Sequence, residues 1–365
     1  MKIALVHDYL SQDGGAERVL KAMHEIWPEA PIFVLFHDNK KIGDFDKADI
    51  KKSFLSKLPF VNSLFEWYLP LMPLATETYQ LKNFDVILSS TSGFAKGVIV
   101  HPHTLHISYC HTPPRYLWAD AHEYLDSLNH GFIVKNFLPI LIHKLRLWDR
   151  LSADRVDYFV ANSQTVQNRI KKYYRRDSEV IYPPVNTEKF FVSANIDEYF
   201  AAGGRLVPYK KLDIVVQAFN RLQWPLKIFG TGPELKYLKK ISKPNIEFLG
   251  KISEDEKAIL LSHARAFIHP QIEDFGITPV EAMASGRPVI AYPVGGAGET
   301  VVHGETGVFL ESQNWESLLN ILAGFDYTAW DGKKIREHSL KYESNNFKNN
   351  LKNFVDNTYK SYVNK

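Results

Sequence analysis

The sequence predicts an α/β protein of two doubly wound domains, each with a parallel sheet between layers of helices. Three observations predict this fold class. Short apolar runs alternate with helical patterns along the whole chain, one proline-rich segment interrupts the alternation, and 365 residues are enough for two ordinary cores. Because parallel strands need a crossover connection, usually a helix, this alternation is typical of βαβ units.

The first domain is predicted to cover residues 1–182. It opens with a buried strand, KIALVHDY (2–9), and the helical segment that follows begins at Gly14-Gly15. Four further apolar runs repeat the strand-then-helix theme: PIFVLF, FDVILSS, LHISYCH and DYFVANS. The segment EVIYPPVNTEKF (179–190) then breaks the alternation with two adjacent prolines, so we place the linker between the domains there.

The second domain is predicted to cover residues 183–342. It contains another series of apolar runs: YFAAGGRLV, LKIFGTG, IEFLGK, ARAFIHP and PVIAYP. The remaining segment, 343–365, has apolar residues at helical spacing, and a helix with such a stripe must pack on something. Ligands of doubly wound domains bind at the carboxyl ends of the strands, so two facing domains are expected to form an interdomain cleft.

The composition excludes several classes of protein. A hydrophobic share of 45% and a charged share of 23% are typical of soluble globular proteins. The N-terminal segment has the features of neither a signal peptide nor a membrane span, and no window reaches the roughly 18 apolar residues that a span needs. The single cysteine, Cys110, suits a reducing cytoplasm, and the net charge of +3 is too small to indicate a nucleic acid partner.

Two segments of the first domain are unusual for a soluble protein. Residues 54–75 are rich in large apolar side chains, but their prolines prevent one long helix. Residues 135–176 carry ten Lys and Arg against three Asp, and FLPILIHKLRLW within them is both apolar and basic. These features fit either a helical cover with a solvated basic face or a peripheral contact with an anionic membrane that presents a lipid-linked substrate.

Two glycine-containing loops are candidate anion sites. Gly14 and Gly15 lie between a strand and its helix, where backbone N–H groups can approach an anion, but neither a dinucleotide fingerprint nor a Walker lysine accompanies them. The loop GGRLVPYKKLD (203–213) follows a strand and carries Arg205 and Lys210, which together can neutralise a pyrophosphate. Turn geometry for the first loop and solvated cations for the second remain open alternatives.

The segment HPQIEDFGITPVE holds two carboxylates, Glu273 and Glu281. Thr278 followed by Pro279 and Glu281 fits a capping box with proline at the first helical position, so Glu281 has a structural explanation. Glu273 precedes this helix by a loop and has no such explanation. Backbone N–H groups at the helix start are expected to face an anion. They belong to Phe275, Gly276 and Ile277.

His111 ends the strand LHISYCH and enters a loop that two prolines stiffen. A histidine alone is often structural, but a position at the carboxyl end of a strand favours a functional role. The sequence contains no HExxH motif, paired cysteines or clustered carboxylates, so we expect no metal cofactor. It also contains no GxSxG nucleophile motif.

Together these motifs resemble the retaining glycosyltransferases of family 4, which have the GT-B fold of two facing Rossmann-like domains. The stretches that carry the resemblance run nearly from end to end: Gly14-Gly15, YCHTPPRYLW, ANSQTVQNRI, GRLVPYKKLD and EDFGITPVEAMASGRPVIAYPVGGAGETV. The last contains the E-x7-E motif of the family in full. YCHTPPRYLW and the preceding LPLMPLA resemble the bacterial branch that builds O-antigen and exopolysaccharide, often with mannose.

The resemblance implies a role for each candidate residue. Glu273 would hold hydroxyl groups of the donor sugar, and Glu281 would hold the nucleotide ribose. Arg205 and Lys210 would bind the diphosphate and stabilise the leaving group, and His111 would lie beside the donor sugar. Further donor contacts are implied at Gly14, Gly15, Phe275, Gly276, Ile277 and Thr278.

The implied function is transfer of a hexosyl group to a lipid-linked or growing polysaccharide acceptor, with mannose from GDP-mannose as the expected donor. The first domain, joined by the helix 343–365, would bind the acceptor, and the second would bind the nucleotide sugar without a metal. We expect a cytoplasmic protein that contacts the inner face of the cell membrane peripherally. Two alternatives are a catalytically silent scaffold that binds a nucleotide sugar and a nucleotide-sugar epimerase, which the complete E-x7-E motif disfavours.

Overall fold

The computed structural model describes residues 1–364 except 13, 40, 43, 44, 46, 47, 63 and 122–131. The chain forms two compact units, residues 1–184 with 347–365 and residues 185–346. All pairings between the named strands are parallel in both units, and helices connect most of the consecutive strands along the chain. The predicted fold class, two doubly wound α/β domains, is therefore confirmed.

Within the described residues, the first unit is built around a seven-stranded sheet of order β3-β2-β1-β4-β5-β6-β7. The chain starts in the middle of this sheet and moves outward in both directions, which is the strand order of dinucleotide-binding folds. The strands are β1 (Ile3–His7), β2 (Ile32–Val34), β3 (Ile50–Lys52), β4 (Val86–Thr91), β5 (Leu105–Cys110), β6 (Tyr158–Ala161) and β7 (Ser178–Val180). Its described helices before the linker are α1 (Gly15–Ile26), α2 (Met72–Glu77), α3 (Phe132–Ala153) and α4 (Gln164–Arg169).

Two segments of the first unit test the sequence-based expectations. Residues 54–75 do not form one helix, as their prolines predict: short 3-10 helices at Phe54–Lys57 and Phe65–Leu71 lead into α2. The predicted linker is wrong at its start, because Ser178–Val180 forms the edge strand β7 and pairs with β6. A strand of three residues is too short to show a clear pattern in the sequence.

Within the described residues, the second unit has a six-stranded sheet of order β10-β9-β8-β11-β12-β13. Its strands are β8 (Phe200–Gly203), β9 (Leu226–Phe229), β10 (Ile246–Gly250), β11 (Phe267–His269), β12 (Val289–Ala291) and β13 (Gly307–Phe309). The helices are α5 (Leu212–Leu222), α6 (Leu235–Ile241), α7 (Glu254–His263), α8 (Ile277–Ala284), α9 (Ala297–Thr300), α10 (Trp315–Ala323) and α11 (Gly332–Ser339). Five of these strands correspond to the predicted apolar runs, and β13 is the one that the sequence pattern missed.

The C-terminal segment forms the helix α12 (Ser344–Val363). Phe347, Leu351 and Val355 are buried in the main core cluster of the first unit, together with residues of β1 and α1. The Phe347 ring meets the Tyr109 ring of β5 edge-on, with ring centroids 5.7 Å apart. The apolar stripe that the sequence shows in this segment is thus part of the core of the first unit.

Candidate functional site

The loop after β8 in the second unit carries the two predicted cations. Gly204 has a φ of +124°, a conformation that glycine adopts readily, and the chain then turns into a short 3-10 helix at Pro208–Lys210. Lys210 is buried, whereas Arg205 is exposed and its guanidinium lies 3.3 Å from the Tyr209 hydroxyl oxygen. Of the two predicted cations at the carboxyl end of this strand, Lys210 is therefore buried and Arg205 is exposed.

Glu273 lies in the loop between β11 and α8, and its carboxylate forms a close ion pair with the Lys210 ammonium. The two residues come from neighbouring strands, because β8 and β11 pair in the sheet. Burial, and then the positive charge of Arg205, lower the pKa of Lys210 to about 7. An anionic ligand at this position would favour the charged form of Lys210 and raise its pKa again.

His269, the last residue of β11, is a site residue that the sequence analysis missed. It is fully buried, and its Nδ1 atom lies 2.8 Å from the Gln271 side-chain amide nitrogen. Its Nε2 atom lies 3.9 Å from a carboxylate oxygen of Glu273. Burial, and then Lys210, hold the pKa of His269 well below its usual range. The neutral ring thus accepts from Gln271 at Nδ1 and directs its Nε2–H toward Glu273.

Two adjacent glycines on the other side of this loop were also missed. A β-carbon at Gly295 would lie 2.3 Å from the Glu273 carbonyl oxygen, and one at Gly296 would lie 2.1 Å from the Phe275 carbonyl oxygen. The Gly296 N–H also donates a hydrogen bond of 2.8 Å to the Glu273 backbone carbonyl oxygen. This close packing of backbone on backbone fixes the loop that carries Glu273, and only glycine leaves room for it.

The predicted capping box at Thr278 is wrong. Helix α8 begins at Ile277, with Gly276 as its N-cap at a φ of +83° and no side-chain cap within the described residues. Pro279 is the third helical residue, a position that tolerates proline because the first turn has no intrahelical acceptors for its N–H groups. Among the described residues no side chain caps the start of α8, and the expectation that the N–H groups of Phe275, Gly276 and Ile277 face an anion stays a prediction.

Glu281 bonds to a lysine of another helix, whereas the predicted capping box pairs it with a backbone N–H at the start of its own helix. It is buried in α8, and its carboxylate accepts a hydrogen bond of 2.7 Å from the Lys257 ammonium of α7. The chain does contain a capping box, but at the start of α7, where Ser253 and Glu256 bond reciprocally. The sequence analysis did not identify Lys257, since the two partners are 24 residues apart.

The first unit places His111 at the carboxyl end of β5 in a line of buried polar side chains. His111 Nε2 lies 2.8 Å from the Ser90 hydroxyl, which lies 3.1 Å from His7 Nδ1. His7 Nε2 in turn lies 4.0 Å from the Glu17 carboxylate of α1. Burial, followed by the nearby His7, lowers the pKa of His111 to about 3, so the ring is neutral at physiological pH.

The predicted glycine pair at the start of α1 lies beside this line. Gly14 is the N-cap of α1 and Gly15 its first residue. A β-carbon at Gly14 would lie 2.9 Å from a carboxylate oxygen of Glu17, so glycine leaves room for that side chain. Since Glu17 already places a carboxylate at this helix start, its charge opposes a phosphate there.

The predicted residues thus fall into separate groups. In the second unit the structure brings together Arg205, Lys210, Glu273 and the start of α8, while Glu281 pairs with Lys257. In the first unit it brings His111 close to Ser90 and His7. Within the described residues, no group of three His, Cys, Asp or Glu side chains could hold a metal ion.

Comparisons with known proteins agree with these two units. The family model "Glycosyltransferase Family 4" matches residues 13–189, and the model "Glycosyl transferases group 1" matches residues 186–325. Together they extend over most of the chain. The chain belongs to the family 4 glycosyltransferases with the GT-B fold, as the sequence motifs predict.

Individual relatives are more distant. The chain is 27% identical over 240 residues to the O-antigen chain mannosyltransferase RfbU of Salmonella typhimurium, a match that covers 62% of this chain and 65% of RfbU. It is 27% identical over 242 residues to a GDP-mannose-dependent phosphatidylinositol monomannoside mannosyltransferase of Mycobacterium tuberculosis, covering 58% and 62%. The match therefore spans less than two thirds of the length of these relatives.

A solved structure resembles the whole chain. Anabaena Alr3699/HepE, crystallised in complex with UDP and glucose, superposes with a TM-score of 0.72 over 98% of this chain and 99% of its own. At 18% sequence identity, this likeness shows the shared GT-B fold.

Proposed function

We propose that the protein transfers a hexosyl group from a nucleotide-diphosphate sugar to a hydroxyl group of a glycan or lipid-linked acceptor, with retention at the anomeric carbon. The observation that carries this proposal is the ion pair of the buried Lys210 with the half-buried Glu273, which lies beside Arg205 and the start of α8, where the described residues supply no side-chain cap. It combines cations and helix N–H groups for a diphosphate with a carboxylate for sugar hydroxyls.

The proposed chemistry follows from these charges. Lys210 and Arg205 would neutralise the diphosphate and stabilise the negative charge that develops on it as the bond to the sugar breaks. The departing diphosphate would accept the proton of the acceptor hydroxyl on the same face, which retains the configuration. Glu273, oriented by His269, would accept hydrogen bonds from the donor sugar. No divalent metal is assigned, because the two cations take over the neutralisation of the diphosphate.

Three further donor contacts are proposed from the family motif. Glu281, whose carboxylate is held by Lys257, would accept a hydrogen bond from a ribose hydroxyl. Thr278 and Phe275 flank the helix start and would contact the donor there. We propose GDP-mannose as the donor, because the names of both curated relatives specify mannosyl transfer and one specifies GDP-mannose. The UDP in the Anabaena structure makes UDP-sugars the first competitors to test.

An apolar pocket in the first unit supports a lipid-linked acceptor. It has a volume of about 210 Å³ and lies beside the carboxyl ends of β1 and β4. Its apolar lining comes from the loops after β1, β4 and β5, from the 3-10 helix before α2 and from the first residue of α2: Tyr9, Phe65, Leu69, Met72, Phe94 and Tyr116. A pocket with this lining suits the hydrophobic part of an acceptor next to its reactive hydroxyl group.

Exposed apolar side chains surround this region and support a peripheral membrane contact. The 54–75 segment exposes Phe60 and Trp67 by 74% and 72%. On α3, Phe137, Ile140 and Leu147 are exposed at helical spacing, although both segments bury other side chains in the same core cluster. No helix among the described residues is long and apolar enough to span a bilayer. We propose that these two segments rest on the inner face of the cell membrane, a contact that the basic residues near α3 would strengthen on anionic lipid.

The test is a panel of GDP- and UDP-hexoses scored by thermal shift, followed by transfer to a synthetic polyprenyl-diphosphate-linked saccharide. GDP-mannose is expected to raise the melting temperature most, and the product mass should increase by one hexosyl group. Lys210→Ala and Glu273→Ala should each lose most of the transfer activity, while Lys211→Ala, a neighbouring exposed cation, retains it. Undiminished activity in both site variants would contradict the site assignment.

The same assay separates the alternatives. An epimerase would convert the donor to an isomer of equal mass without any acceptor, and a silent scaffold would bind the donor without any product. Neither alternative has a specific structural observation in its favour.

A further inference from the structure

Three buried polar residues behind His111 have no part in the proposed transfer reaction. His7, Ser90 and Glu17 come from β1, β4 and α1, and each is almost fully buried. The register of the sheet places His7 and Ser90 opposite each other as Cα partners. Buried polar groups are costly unless they are paired, so an aligned set of this kind needs an explanation.

The hydrogen bonds of this line can be arranged in three ways. A neutral imidazole carries one proton, and the Ser90 hydroxyl can donate once and accept twice. His111 can donate from Nε2 to Ser90 while Ser90 donates to His7 Nδ1, both bonds can run the opposite way, or both rings can donate to Ser90. Each arrangement fixes the tautomer of both histidine rings.

The Glu17 carboxylate selects among the three arrangements. In the two in which His7 donates to Ser90, the Nε2 lone pair of His7 would face the carboxylate 4.0 Å away, and two acceptors would repel each other. In the remaining arrangement His7 carries its proton on Nε2, where the carboxylate attracts it electrostatically from beyond hydrogen-bond distance. The favoured arrangement is thus donation from His111 to Ser90 and from Ser90 to His7, with the His7 Nε2–H directed toward Glu17.

We infer that Ser90, His7 and Glu17 are positioning residues that hold His111 as its Nε2–H tautomer and leave Nδ1 to accept a hydrogen bond from a sugar hydroxyl. The identity of the hydroxyl rests on the proposed function, but the tautomer does not. Gly14 contributes by leaving space for the Glu17 side chain.

The surroundings of His111 keep the ring in place. Its backbone N–H donates to the Thr91 carbonyl at 2.8 Å, and its ring meets the Tyr109 ring edge-on with centroids 5.3 Å apart. His7 and Tyr109 are its titratable neighbours, and burial holds the pKa of Tyr109 well above its usual range. The ring therefore has a fixed plane, and the hydrogen-bonded line fixes which nitrogen carries the proton.

The tautomer can be measured directly without any substrate. In protein labelled with ¹⁵N-histidine, long-range ¹H–¹⁵N spectra distinguish a protonated nitrogen from an unprotonated one in each neutral ring. We expect protonated Nε2 and unprotonated Nδ1 for both His7 and His111, with the signals assigned by loss in His7→Gln and His111→Gln. A protonated Nδ1 on either ring would overturn the inference. In Glu17→Gln, whose amide can also donate, the tautomers should become mixed.

A pair of serines on one strand provides a matched activity test. Ser90→Ala removes the centre of the line, whereas Ser89→Ala removes the hydrogen bond of 3.0 Å between Ser89 and the buried His106. We expect kcat of Ser90→Ala to fall about 10- to 100-fold with little change in the donor KM, because a misplaced group costs rate rather than binding. Ser90→Thr, which keeps the hydroxyl group, should recover most of the loss.

The outcomes separate this inference from the proposed function. If Ser90→Ala loses no more activity than Ser89→Ala, the positioning role is wrong even though the transferase assignment stands. If the predicted tautomers appear but no donor in the panel is used, the hydrogen-bonded line is right and the proposed function is wrong. Melting temperatures of the two serine variants show whether folding alone explains a loss.

Discussion

The carboxyl ends of the strands carry different kinds of polar groups in the two sheets, and we call these regions the two edges. In the second unit the polar groups are joined by charge, since Lys210 pairs with Glu273 and Lys257 pairs with Glu281. In the first unit the bonds of His111 run through a hydroxyl group, with one carboxylate at the far end of the line. The described partners of His111 in this line include no Lys or Arg, whereas the second edge places Lys210 against Glu273.

This difference suggests what each edge can bind. Cations beside the start of a helix suit a diphosphate, because they can stabilise the negative charge that develops on it as its bond to the sugar breaks. A neutral imidazole held in one tautomer suits a hydroxyl group, because an uncharged hydroxyl group is recognised by the direction of its hydrogen bond. The comparison therefore predicts that variants of the second edge respond to charge and pH, whereas variants of the first respond to geometry.

The largest expected effect is on stability, where the second unit depends on a buried pair. Lys257→Ala removes the cation beside the buried Glu281 carboxylate and should lower the free energy of unfolding by about 3 kcal/mol. Lys189→Ala is the control, since Lys189 forms a pair of 3.0 Å with Glu254 that is exposed on both sides. That change should cost less than about 1 kcal/mol in chemical unfolding. Equal losses would show that the buried charge is not structurally important.

A smaller effect is expected where backbone packing fixes Glu273. Gly295→Ala would press a methyl group against the Glu273 carbonyl oxygen and should lower both stability and transfer activity. Gly304→Ala is matched, because Gly304 has a similar φ of +79° but a β-carbon there would have no atom within 4 Å. The control should show only the backbone strain, about 1 kcal/mol, with normal kcat. If both variants keep full activity, the glycine pair does not position Glu273.

The third prediction concerns pH and separates the two edges most directly. In the protein without a ligand, burial lowers the pKa of Lys210 to about 7, and a bound diphosphate should raise this pKa. Binding then takes up a proton, so affinity is greatest below pH 7 and falls by up to about tenfold per pH unit above it. Titration calorimetry with GDP at pH 6 to 9 measures this slope.

Lys210→Met should remove that slope, and Lys211→Met should keep it. Burial keeps the pKa of His111 near 3, so this histidine adds no ionisation over the same range. A slope that survives in Lys210→Met would assign the proton to another group and weaken the contrast between the edges.

The smallest expected effect is at the apolar surface of the first unit. Trp67→Ser combined with Leu147→Ser should reduce co-sedimentation with anionic liposomes a few-fold at low salt, because both side chains are exposed. Tyr237→Ser, an exposed aromatic change in the second unit, serves as the control. Failure of the unmodified protein to co-sediment would contradict the membrane contact.

Much of the candidate site was predictable where local pattern carries the information. Lys210 and Glu273 each follow an apolar run in a loop, and parallel strands place such loops at one edge of a sheet. The residue at which α8 begins was not predictable in the same way. Thr278, Pro279 and Glu281 satisfy the local rule, but the positive φ of Gly276 starts the helix earlier. Glu281 was then free to meet Lys257 on another helix.

The sequence by itself determined the fold class, the family and the loops that hold the candidate residues, because alternation, turn residues and motif spacing act over a few residues. Only the tertiary structure decided the partners. His7 and Ser90 are 83 residues apart and meet through the register of two strands, and His269 gains its role from where Gln271 and Glu273 turn. Such contacts depend on how whole elements pack, and the physical forces that select them act across the core rather than along the chain.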